Sequence, residues 1–143
     1  MTLQSAAVLL CGLVLPPPWA ASTMAVYLLA GMAGLPVFSP DSLGVFGPTG
    51  GYLVGFLVAA WLMGTVRGAC GGLIPLTVAA IVGQVTVLAL GTAWLAWCTG
   101  NVEAAVFGGL APFVVKAIVE LLLSVGMAPP LRRWVRLDVT RVG

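Results

Sequence analysis

Lys116 and Glu120 stand four residues apart in the run PFVVKAIVELLLSVG, so on a helix they share one face. The run around them is apolar. A charge near the centre of a bilayer costs about 2.5–3.5 kcal/mol, so it normally faces a partner or a cavity. Two readings stay open. The pair neutralises itself inside a bundle, or Lys116 meets a ligand and Glu120, one turn deeper, orients it. Pro112 suits the first position of a helix. A helix starting there puts Lys116 in about its first turn, where the positive helix end and the ammonium together suit a carbonyl or carboxylate.

Other polar residues interrupt apolar sequence. Gln4 in TLQS and Gln84 in VGQVT are candidates for helix-to-helix hydrogen bonds or for a ligand. Tyr27 lies mid-run, about ten residues from the following loop, which suits a cavity wall. Asn101, Glu103 and Asp41 read most simply as solvated, and the five tryptophans as interfacial. The widely spaced Cys11, Cys70 and Cys98 read as small packing residues. With no histidine, His-based metal sites, the Ser-His-Asp triad and His acid–base chemistry are excluded. No catalytic constellation or metal site is visible, and the chain reads as a non-enzyme. No nucleotide motif occurs, so uphill movement of a solute needs a partner or an ion gradient.

The elements that position these residues are membrane segments. Of the 143 residues, 61% are hydrophobic and 7% charged, with a mean hydropathy of +1.15. A soluble domain carries about 25% charged residues. The expected fold is all-α, a polytopic transmembrane bundle in one domain, 1–143, with a cytoplasmic basic tail over 128–143. Five segments are predicted: Thr2–Leu15, short for a span and stopped by Pro16-Pro17-Pro18; Ala20–Phe38; a third from Gly51 or Tyr52 to Val66; Leu73–Cys98; and Ala104–Met127, ended by Pro129-Pro130. Arg132, Arg133, Arg136 and Arg141 put the C-terminus in the cytoplasm, and the Arg67 loop falls on the same side. Met1 is then outside, which predicts a missing upstream helix. Gly51, Gly55 and Ala59, with Ala60 and Gly64 on an adjacent face, form small-xxx-small patterns that predict close helix packing. Between two of the segments, Gly34–Tyr52 is rich in Gly and Pro, and its shaped backbone predicts one wall of a ligand pocket on the outer face.

YLLAGMAGLPVF followed by GPTGGYLVGFLVAAWLMG closely resembles the BioY family, the biotin-binding S components of energy-coupling factor (ECF) vitamin transporters. TLQSAAVLLCGLVL resembles that family's second helix, and APFVVKAIVELLL the start of its last. The resemblance implies a six-helix bundle of the cell membrane that binds biotin near the extracellular face. It also implies docking onto a transmembrane coupling protein bearing two ATPase subunits, which hydrolyse ATP; the chain itself takes biotin as ligand and no cofactor. It places Tyr27, Phe38, Gly50, Gly51, Tyr52 and Lys116 at the ligand; Gln4, Gln84 and Glu120 stay further candidates from the residues themselves. Three departures stand out. The family's first helix has no counterpart. Phe113, Val114 and Val115 precede Lys116 where members commonly carry Pro-Gly-Asp. The central loop is short, with Asp41 about where a basic residue is usual. An alternative reading is a truncated, non-transporting remnant that associates with other membrane proteins.

Overall fold

Apolar runs punctuated by proline and glycine favour helices with sharp ends, because in lipid a backbone must satisfy its own hydrogen bonds. A computed structural model describes residues 4–37, 47–68 and 72–141, without the side chains of 109–113, 115 and 135–141. The helices are α1 Gln4–Val14, α2 Pro17–Met32, α3 Gly50–Arg67, α4 Leu73–Thr99, α5 Val102–Ala105 and α6 Ala111–Arg141, with a π-helical turn Val106–Leu110 between the last two. No strand occurs among the described residues. Two of these helices, α3 and α4, are long and apolar enough by length and composition to cross a membrane. At 11 residues, α1 is about 17 Å long and shorter than a span, as its sequence predicts.

Several ends differ from expectation. The triple proline turns the chain at Pro16, but Pro17 and Pro18 open α2 rather than stay outside it. A proline in the first turn loses an N–H that has no helical partner anyway. α2 stops at Met32, short of Phe38. There Gly34, at φ +90°, allows the Leu35 amide to bond the Ala30 carbonyl (3.1 Å) and the Gly34 amide the Gly31 carbonyl (3.2 Å), a Schellman closure. At the far end Pro129 and Pro130 do not stop the helix; α6 continues through both to Arg141. Proline's φ is already helical, but inside a helix it loses an N–H bond and its ring crowds the carbonyl four residues back, a cost of about 3 kcal/mol. Ala128 and Arg132, on either side of the pair, are buried in the bundle and hold the path. Phe38, Asp41 and Cys70 lie outside the described residues.

Specific approaches set the helix order. A Cβ on Gly51 would fall 2.2 Å from Trp94 Cβ and 2.7 Å from the Leu90 carbonyl oxygen, and one on Gly55 3.2 Å from Val87 Cα. One on Gly91 would fall 2.1 Å from Tyr52 Cδ1. Thus α3 and α4 run antiparallel with their backbones nearly touching along Gly51, Gly55 and the buried Ala59. The adjacent face serves other helices: a Cβ on Gly64 would fall 2.8 Å from Pro17 Cα of α2, and Ala60 Cα lies 3.3 Å from where Gly12 of α1 would carry a Cβ. Both small-residue faces read from the sequence are packing faces. Met63 fills the space between Gly12 and Gly83 at the core, with Leu9, Leu13 and Leu76.

Replacing Gly51 with Ala is expected to lower the melting temperature in detergent, since overpacking costs about 1–3 kcal/mol. Gly108→Ala, with nothing within 4 Å of the new methyl, leaves it unchanged or raises it. A thermal melt of the two purified variants checks this; equal melting temperatures would contradict the packing.

Candidate functional site

The antiparallel order gathers distant stretches at one end of the bundle. α1 and α3 run parallel, because Gly12 meets Ala60 and the Arg67 guanidinium reaches the end of α1. α2 and α4 run the other way. The start of α1, the end of α2, the start of α3 and the end of α4 therefore share one level. α6 joins them, because Ser5 of α1 touches Lys116 and Glu120. At the opposite end the buried Arg67 donates to the Val14 carbonyl (3.3 Å) and to that of Leu15. These are carbonyls that α1 leaves without helical partners.

Three side chains close a triangle at the first end. Lys116 Nζ lies 3.0 Å from Glu120 Oε1 and 3.1 Å from Ser5 Oγ, and the Ser5 hydroxyl donates to Glu120 Oε1 at 2.6 Å. The Lys116 side chain is 31% exposed and that of Glu120 only 6%. Glu120 therefore sits behind the ammonium and compensates its charge. The two sequence readings of this pair are compatible: the residues neutralise one another, and the Lys116 side chain stays partly exposed. The helix-end argument does not survive. α6 does begin at Ala111, but its backbone is already helical from Val102 through the π-turn. The true start is capped by Asn101, whose Oδ1 accepts from the Ala104 amide at 3.0 Å. Lys116 is therefore well past the first turn, where a helix end acts.

A second set adjoins the triangle through the neighbouring residue of α1. The Gln4 amide donates to the Tyr27 hydroxyl, which donates to the Val37 carbonyl at 2.9 Å. Tyr27 is thus tied to the chain entering 38–46. Across the same end, Trp94 Nε1 donates to the Gly47 carbonyl at 3.0 Å and packs edge-on against Trp97, with centroids 5.2 Å apart. This bond anchors the Gly-Pro-Thr-Gly-Gly-Tyr segment to α4. Gly50 and Gly51 are buried there, and Tyr52 lies half-buried with its ring on Gly91.

Of the residues singled out in the sequence, Gln4, Tyr27, Gly50, Gly51, Tyr52, Lys116 and Glu120 come to this end. Gln84 does not: it lies about two turns down α4 from Gly91, beside the Gly83–Met63 contact. Sequence reasoning missed Ser5 and Trp94. Ser5 had a signal, a hydroxyl beside Gln4 in an apolar run, but nothing in the chain announces a partner 115 residues away. Trp94 looked like any interfacial tryptophan until its N–H was seen to hold Gly47.

This is a helical membrane bundle that gathers a few polar side chains, Gln4, Ser5, Tyr27, Lys116 and Glu120, at the same end as Tyr52 and Trp94. The model of the BioY family matches residues 1–137, and the chain belongs to that family. It is 35% identical over 135 residues to a protein named "Probable biotin transporter BioY" from Pyrococcus horikoshii, covering 92% of this chain and 80% of the relative. To "Biotin transporter BioY2" of Lactococcus lactis subsp. cremoris it is 35% identical over 131 residues, covering 86% and 70%. To "Biotin transporter BioY" of Thermotoga maritima it is 30% identical over 135 residues, covering 92% and 80%. Among solved structures, the S component for biotin from an ECF-type ABC transporter superposes with a TM-score of 0.82 at 21% identity, over 93% of this chain and 75% of that one. That likeness shows the fold.

Tyr27→Phe keeps the ring but removes the hydroxyl that accepts from Gln4 and donates to Val37. The expected result is a loss of about 0.5–1.5 kcal/mol per hydrogen bond, read as a lower melting temperature in detergent. An unchanged melt would remove this link between α1 and the end of α2.

Proposed function

We propose that this chain is the biotin-binding S subunit of an ECF-type uptake system in the cytoplasmic membrane. It is a transport component and not an enzyme. The observation that carries the reading is the match to the BioY family model over residues 1–137, joined to relatives named as biotin transporters. The geometry supports it. Biotin is small and amphipathic, with an apolar thioether ring, a ureido head and a carboxylate tail. The end of the bundle that gathers Tyr27, Gly50, Gly51, Tyr52 and Lys116 offers such a ligand aromatic and apolar surface beside one partly exposed lysine. Gln4 holds Tyr27, which engages the Val37 carbonyl, and Glu120 holds Lys116.

The site faces outward and the C-terminus lies in the cytoplasm, as the arginines of 132–141 favour. With no nucleotide motif of its own, the chain takes its energy from ATP hydrolysed by partner subunits, reached through a transmembrane coupling protein.

Lys116→Ala is expected to weaken biotin binding at least tenfold, equivalent to about 1.4 kcal/mol. Tritiated biotin titrated into the purified protein in detergent measures this. An unchanged dissociation constant would remove Lys116 from the site. Cells expressing the chain should accumulate tritiated biotin when ECF partners are present; uptake no higher than background would count against a transport role and for the remnant.

A further inference from the structure

The Ser5 hydroxyl has one proton, and its two charged neighbours decide where it points. An ionised Glu120 only accepts, so at 2.6 Å the Ser5 proton goes to Oε1; an ammonium only donates, so at 3.1 Å Lys116 gives a proton to Ser5 Oγ. Lys116 and Glu120 alone are an i,i+4 pair on one helix, and Lys116 reaches its ammonium through a flexible four-carbon stem. Ser5 has a single side-chain torsion and stands on α1, a different element. It therefore passes the position of the α1 backbone to Lys116 Nζ. Of the two side chains Lys116 is the more exposed, 31% against 6% for Glu120.

We propose that Ser5 is a positioning residue: it sets the Lys116 ammonium for the ligand and acts through it, without contacting the ligand itself. This rests on the reading of the chain as a biotin-binding subunit. An ordinary hydrogen bond between membrane helices contributes modestly to stability and would act on the fold, not on one lysine. The two roles therefore separate in a double-mutant cycle.

The test measures tritiated biotin binding to purified full-length chain in detergent, as wild type, Ser5→Ala, Ser5→Thr, Lys116→Ala and the Ser5→Ala/Lys116→Ala double variant. Ser5→Ala is expected to raise Kd about fivefold, the scale of one lost hydrogen bond. Ser5→Thr, which keeps the hydroxyl, restores affinity. The double variant binds no more weakly than Lys116→Ala alone. A second readout needs no ligand. Lys116 is the chain's one lysine, so its acylation by an amine-reactive reagent can be followed by peptide mass. Ser5→Ala should speed that acylation and Ser5→Thr should not. An unchanged Kd in Ser5→Ala, with wild type binding normally, overturns the positioning role and leaves the biotin reading intact. So does a Ser5→Ala loss that persists undiminished without Lys116. Failure of wild type to bind biotin overturns both.

Discussion

In lipid, helices gain nothing from hiding apolar surface from one another, since the lipid is equally apolar; close contact has to come from packing and from placed polar groups. The structure depends on that constraint. Gly51 and Gly55 of α3, with Gly91 and Gly83 of α4, let two backbones approach until a single methyl would collide. Bulkier residues would part the two helices and carry the end of α4 away from the start of α3. Trp94 could then no longer reach the Gly47 carbonyl, and Tyr52 would have no flat surface at Gly91 to lie on.

The second constraint is charge. Ionised side chains inside an apolar bundle persist only with partners. Glu120 and Lys116 supply each other, and Ser5 satisfies both from a neighbouring helix. Placing the carboxylate behind the ammonium leaves the site locally neutral yet directional. At the other end, Arg67 solves the same problem differently, by donating to carbonyls that α1 leaves open. The two ends thus partner their charges differently, one within a side-chain triangle and one by closing a helix end.

Much of this is legible in the chain because it follows from local rules. Gly51, Gly55 and Ala59 stand four apart and must share a helix face; Ala60 and Gly64 must share the next. The i,i+4 spacing of Lys116 and Glu120 requires only that their run be helical. Where local rules have two outcomes, reading was less secure. Proline can end a helix or open one, and Pro17 opens α2. Pro129 and Pro130 lie within α6, between the buried Ala128 and Arg132. Pro112 suggested a helix start that Asn101 provides eleven residues earlier, since a π-turn carries the helical path through the gap.

The sequence by itself determined an apolar helical bundle, its glycine packing faces and a lysine–glutamate pair too costly to leave unpartnered in lipid. Each follows from composition or from spacing within one helix. Only the tertiary structure decided what came from elsewhere: that Ser5 completes the Lys116–Glu120 triangle, that Gln4 holds Tyr27, that Trp94 anchors Gly47, and that Gln84 is left out of the gathered end. Those choices depend on which helices run parallel and at what level they meet. That register is set by glycine-to-side-chain contacts between segments far apart in the chain, and no spacing within a single segment encodes it.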